Sequence, residues 1–447
     1  MEKKSVFEET SISKAIFRVG IPVMIGTAST LIYNIADIFF ISLTRVPAMI
    51  AAVYLCSPIL LFIMALGIIF GMGGSDIIIH YSEDNRQEIT SKIFNFCTLS
   101  LILTGLLILI LGLVFLGPVS LLTGADSENF SYTSEYLKWI FIGTPVNILG
   151  IGYFHLFRSI GLSKQSTIGF IAGTITNIVL DVILINILGW GTKGAAIATS
   201  LGYAFSLLYY ICVIVFHKKS IFYRYLFSFK ISKKTALQII RVGFVCALNT
   251  LMISICNIIM DNFIGLYGTE SMASFGIAYN LNLIPVLLST SLSQACIPLL
   301  SYYYDTKQKD MLHMTMIAAI LYSILIGMLF AVIFYFSCSI YVSLFLIDEV
   351  LAYKTCKFLR IIVISAPLIG ISNMISNYFT AIGSNKKSLL IYIIRNTILY
   401  IPVVIILNSI YQLNGILFTQ PVVEVILMII CLVMYLLDDA RLDKLDE

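Results

Sequence analysis

Residues 18–40 read RVGIPVMIGTASTLIYNIADIFF, and residues 241–263 read RVGFVCALNTLMISICNIIMDNF. The two begin alike, align Asn34 with Asn257, and each carries an aspartate near its end (Asp37, Asp261). A second pair, FRSIGLSKQS at 157–166 and FTAIGSNKKS at 379–388, recurs at the same spacing to within a residue. Two separate matches at one spacing mark an internal duplication. The chain is therefore read as two copies of one unit.

What each copy is made of follows from composition. Of the 447 residues, 59% are hydrophobic and 12% charged, and the mean hydropathy is +0.97. Soluble domains carry about 25% charged residues, so a water-soluble fold is excluded. A membrane helix needs about 20 apolar residues, and the runs here are long enough. The apolar–polar alternation of a membrane β-barrel is absent. The expected class is an all-α polytopic membrane protein with twelve spans: 16–43, 47–71, 93–117, 136–158, 167–190, 194–216, 236–266, 271–300, 313–345, 355–381, 387–407 and 412–437.

Lys and Arg placement sets the orientation. With the N-terminus inside, only Arg45, Lys138, Lys193, Lys354, Lys357 and Arg360 of the 28 basic residues fall outside. Both termini are thus expected in the cytoplasm, with the chain in the inner (cytoplasmic) membrane. The polar start MEKKSVFEETSISK precedes a span too long for a signal-peptide core, so it is expected to be retained. Topology accounts for the net charge of +4, so no nucleic-acid partner is implied. The nine cysteines show no CxxC or metal-ligand spacing and read as small packing residues.

Six spans per copy is an even number, so both copies enter from the same side. The result is a parallel repeat, an arrangement used by secondary transporters, with a central cleft between two six-helix bundles. The expected domains are an N-terminal lobe at 1–216, a basic cytoplasmic linker at 217–234 and a C-terminal lobe at 235–447.

Ionisable groups within spans are costly and mark functional sites. In NIVLDVILI (177–185), Asn177 and Asp181 share one helix face. Counting along the helices puts Asp37 about 9 Å from the outer edge, Asn34 and Asp181 about 14 Å, Asn177 about 20 Å and Thr199 about 9 Å. Five oxygen-bearing side chains from three helices converge there on a cation site. Two acids in a low-dielectric pocket can share a proton, or a hard cation can neutralise them with amide and hydroxyl oxygens completing its shell. The metal expectation goes no further than a Na⁺ ion at Asp37, Asn177, Asp181 and Thr199.

The second copy does not repeat this set. Val403 and Leu399 stand where Asp181 and Asn177 would map, and Asp261 lies one residue out of register with no acidic partner. One coupling site is expected, in the N-terminal half. The second half instead offers Asn280, Asn282, Gln294, Gln420 and Glu424 to a substrate cleft. Arg395 and Glu424 lie at matched depth, about 12 Å from the inner edge, and are expected to form a structural ion pair.

On these residues the chain resembles the multidrug and toxic compound extrusion (MATE) family of cation-coupled exporters. The resembling pieces are GIPVMIGTASTLIYNIADIFF, NIVLDVILI followed by KGAAIAT (193–199), AIGSNKKS and LNGILFTQPVVEVI (413–426). The resemblance implies twelve helices in two lobes, with drug leaving as H⁺ or Na⁺ enters. It also implies the branch whose N-terminal lobe holds the cation, with Asp37, Asn177, Asp181 and Thr199 as its ligands. Asn249 and Thr250 stand where another branch carries a span-seven Glu. The stretch GMGGSDIIIHYSEDNRQE (71–88) departs from the family pattern; its Asp76 and His80 are read as part of a solvated cytoplasmic loop.

The expected function is ion-coupled multidrug efflux by alternating access, with no cofactor beyond the coupling ion. The expected partners are a small organic substrate and the bilayer, and the chain is expected to act as a monomer. A flippase for a lipid-linked saccharide precursor shares the architecture. Such a flippase would line its cleft with Lys and Arg, and Arg395 is the main deep basic residue here. A membrane-embedded enzyme is the more distant alternative. His80, His155, His217 and His313 are isolated, and no HExxH, GxSxG or P-loop pattern is present.

Overall fold

Apolar runs this long leave the backbone one way to satisfy its hydrogen bonds in lipid, and the chain takes it throughout. A computed structural model describes residues 11–80, 86–216 and 231–445; most of the 217–234 linker lies outside the described residues. The helices are α1 (Ile12–Ser42), α2 (Pro47–His80), α3 (Arg86–Val114), α4 (Leu116–Leu122), α5 (Phe130–Ser159), α6 (Ser163–Asp181), α7 (Gly191–Phe216) and α8 (Lys233–Gly265). There follow α9 (Thr269–Ala295), α10 (Ile297–Asp305), α11 (Lys309–Phe336), α12 (Cys338–Val342), α13 (Glu349–Ile362), α14 (Ala366–Ala381), α15 (Asn385–Ile393) and α16 (Tyr400–Leu445).

Among the described residues ten stretches are long and apolar enough to cross a membrane. Asn385–Asp438 counts twice: at 54 residues it is broken at Gln412, where φ is 51° and the helix kinks. Helix α1, 31 residues long and without a charge from Val19 to Ala36, completes the twelve. Exposed Leu103, Leu107, Ile110 and Val114 on α3, and Leu321, Leu325, Leu329 and Val332 on α11, form apolar surfaces that suit a lipid surround.

The duplication is visible in detail. The turns before α6 and α15 each hold a glycine at positive φ, Gly161 at 84° and Gly383 at 76°. Just beyond them Ser166 donates to the Phe154 carbonyl at 2.6 Å, and Ser388 meets Ser376 at 2.9 Å. Phe154 and Ser376 are themselves repeat-equivalent positions.

Packing divides the chain elsewhere than the repeat does. One compact unit is Ala36–Ala273; the other joins Ile12–Ile35 to the chain from Ser274 onward. In the first, α8 lies along α2, with Gly243 against the Ile69 carbonyl and Gly73 against that of Ile239. Small residues at a crossing let membrane helices approach this closely. Ser254 of α8 also donates to the Pro58 carbonyl at 2.7 Å. In the second unit, Ala15 and Ile16 of α1 enter a core with Leu292, Leu299 and Phe379. Tyr322 packs on Phe17 with ring centroids 4.8 Å apart and donates to Ser13 at 2.8 Å.

One expectation needs correcting. Helix α2 does not end near residue 71 but runs to His80, so Asp76 and His80 belong to its last turns and not to a loop. The glycines of GMGGS do not break it because they are contact residues: Gly71 lies on Gly152 and Gly74 on Cys97. Residues 81–85 lie outside the described residues.

Candidate cation-coupling site

Asp37 occupies the last turns of α1, Asn177 and Asp181 one face of α6, and Thr199 the facing side of α7. All four belong to the Ala36–Ala273 unit. Helices α6 and α7 approach through Gly202: a Cβ there would sit 2.9 Å from the Asn177 Cβ and 2.9 Å from the Gly173 carbonyl. Asp181 is 0% exposed, Asn177 1%, Thr199 2% and Asp37 9%. The cluster is thus shut away from both water and lipid.

Its polar contacts are few. With its amide nitrogen toward the acid, Asn177 donates to Asp37 Oδ1 at 3.2 Å and accepts from the Thr199 backbone N–H at 3.2 Å. The carboxyls of Asp37 and Asp181 are neighbours. Ionised carboxylates only accept, so a hydrogen bond between them would need a shared proton. No hydrogen-bond donor among the described residues reaches either oxygen of Asp181. A shared proton, or a cation in its place, would neutralise the pair.

Sequence reasoning missed two tyrosines near the site: buried Tyr136 of α5, which lies by Thr199, and Tyr203, four residues beyond Thr199 on α7. Neither carries a sequence signal, since the chain has 25 tyrosines. Immediately after Asp181 the helix widens to a π-helical segment, Val182–Ile187, a distortion that recurs at functional sites. Beyond it Lys193 sits over the Trp139 ring at 5.2 Å and the Trp190 ring at 4.8 Å, and these are the chain's two tryptophans. Asn34, on α1 before the unit boundary, is half-buried and falls in the other compact unit.

In the second unit Arg395 and Glu424 form an ion pair: Nη2 and Nε lie 2.5 and 2.7 Å from Oε1. Arg395 Nη1 donates to Asn373 Oδ1 at 2.9 Å, and Asn373 donates to Thr290 at 2.7 Å. Arg395 lies in the other π-helical segment, Ile394–Leu399. Of the remaining candidates, Gln420 reaches Glu424 at 3.5 Å, and Asn280 donates to its own helix at Gly276. Asn282 is buried with an unpartnered oxygen, and Gln294 is exposed. On α2, His80 Nδ1 meets the Asp76 carbonyl oxygen at 2.8 Å on an exposed surface.

A duplicated, many-spanning helical protein with an acid pair buried inside one unit belongs to the class of membrane transporters. The comparisons make this specific. The MatE family model matches residues 22–183 and 246–406, and the chain belongs to that family. The multidrug export protein MepA of Staphylococcus haemolyticus is 29% identical over 431 residues, 95% of this chain and 93% of that protein. MepA of Staphylococcus aureus NCTC 8325 is 28% identical over 442 residues, 98% and 97% of the two chains. An inward-facing multidrug-resistance MATE family transporter superposes with a TM-score of 0.87 at 22% identity, covering 93% of this chain and 96% of that one. A MOP superfamily transporter from Pyrococcus furiosus gives 0.74 at 24% identity, covering 99% and 98%.

Proposed function

We propose that this chain is a secondary active antiporter that exports cationic or amphipathic organic compounds in exchange for H⁺ or Na⁺. One observation carries the coupling: Asp37 and Asp181 are buried as neighbours with the Asn177 amide beside them and no basic side chain against them among the described residues. The export reading rests on membership of the MatE family and on likeness to the MepA proteins along nearly the whole chain.

The coupling follows from linkage. An ion entering from outside neutralises Asp37 and Asp181 and holds α1 against α6 and α7. A substrate in the cleft between the repeat halves, 1–216 and 235–447, favours the opposite state. Each ligand therefore weakens binding of the other, which is the thermodynamic content of exchange. The chain acts as a monomer in the cytoplasmic membrane with both termini inside, and it is a carrier, not an enzyme. Asn280, Asn282, Gln294, Gln420 and Glu424 are the candidate substrate contacts. The flippase alternative is disfavoured because Arg395, the deep cation an anionic headgroup would need, is committed to Glu424 and Asn373.

Transport of a fluorescent organic cation by the purified protein in liposomes, with proton and sodium gradients imposed separately, tests this reading. One of the two gradients is expected to drive transport. Equal rates with and without either gradient would remove coupling from the function.

A further inference from the structure

One buried acid is left without a role. Asp261 of α8 is 0% exposed, four residues from the helix end and so about 6 Å along it. Neither of its carboxylate oxygens has a hydrogen-bond partner among the described residues, and Tyr54 of α2 is its neighbour. No cation among the described residues pairs with it. Over its backbone lies the turn between α4 and α5. Gly124 adopts φ 93°, and a Cβ there would stand 3.1 Å from the Asp261 carbonyl oxygen, so only glycine lets the turn sit this close.

The same turn is fastened on either side of the acid. Asn262 donates from Nδ2 to the Leu122 carbonyl at 2.8 Å. Thr269 donates to Asp126 Oδ2 at 2.7 Å, and buried Asn129 reaches Thr269 at 3.5 Å and the Met272 sulfur at 3.5 Å. Residues 122–129 come from the first sequence copy and 261–272 from the second. On the Lys and Arg reading of topology this is the outer face. The contacts form a latch across the repeat, with an unpaired acid beneath it.

We propose that Asp261 is a second proton-binding site, and that its proton keeps this latch shut. The ionisable groups beside it are Tyr54 and Cys56 on α2; on the latch Asp126 is held by Thr269, and none of these is a cation. An ionised carboxylate enclosed among them is costly, whereas opening the latch admits water to it. The closed state therefore binds the proton more tightly than the open one. By linkage the latch is closed at low pH and is released as pH rises. This inference rests on the transport reading only in having the latch open during a cycle, and it assigns no coupling to Asp37 or Asp181.

The test uses the full chain in intact cells, with Met272→Cys, which keeps a sulfur near Asn129, as a buried reporter within the latch and Asp37→Asn silencing the first site. A membrane-impermeant maleimide is applied over a pH series, with the chain lacking Met272→Cys as background. Each labelling rate is divided by that of the same chain carrying Asp261→Asn. The ratio is expected to climb by up to about tenfold per pH unit, and Asp261→Glu is expected to keep the climb. A ratio that stays flat overturns the proposal. Should the Asn chain fail to insert, Asp261→Leu, which also cannot ionise, replaces it as the divisor, and a flat ratio overturns the proposal equally. Because the reporter reads the latch and not transport, a failed antiport reading leaves its result interpretable.

Discussion

Asp37 and Asp181 differ from the other buried acids in having each other for a partner. Glu424 has a guanidinium, and neither oxygen of Asp261 has a hydrogen-bond partner among the described residues. The distinction yields two predictions. Asn177→Ala removes the donor to Asp37 while leaving the acids in place; an unmade buried hydrogen bond costs about 1–3 kcal/mol. The bond stabilises the charged, ion-free acid, so without it the ion concentration for half-maximal transport should fall roughly tenfold or more, as read in the liposome assay. Arg395→Met strands Glu424, and breaking one partner of a buried pair costs about 3–5 kcal/mol. The melting temperature in detergent should fall steeply, and the Arg395→Met, Glu424→Met double variant should recover most of it. At this scale the sequence was legible wherever an ionisable or amide group interrupted an apolar run: Asp37, Asn177 and Asp181 announce themselves by cost. Tyr136 does not, because tyrosine is at home in a membrane helix and its contact with Thr199 exists only once α5 and α7 are packed.

Among the elements, α6 and α7 carry the site through their closeness. Gly202→Val is expected to push them apart, since its side chain meets Asn177 and the Gly173 backbone; overpacking of this kind costs about 1–3 kcal/mol. Loss of ion-driven transport with normal membrane insertion, checked by fractionation and the liposome assay, is the expected outcome. The π-helical segments after Asp181 and at Arg395 were not legible, because a widened turn leaves no periodicity signal over six residues. Span boundaries were legible to within a few residues where a charge or Gly-Ser turn closed the apolar run. They failed at GMGGS, where small residues signal a helix crossing as readily as a helix end.

At the level of the whole molecule the duplication was written in the sequence, and the class of fold followed from it together with composition. The packing units were not, because α1 and α8 take their places by side-chain fit: Ile16 in the core with Leu292, and Gly243 against Ile69. These are the equivalent first helices of the two copies, and each falls mostly in a unit dominated by the other copy. Shared helices of this kind are suited to transmit neutralisation of the acid pair to the rest of the carrier. The most direct measurement is ion-driven efflux of a fluorescent cation from liposomes holding the Asp37→Asn, Asp181→Asn double variant beside the unaltered chain, at matched reconstitution. Coupled transport should vanish in the double variant while the protein remains inserted and folded; transport at the unaltered rate would contradict an ion held between these two acids.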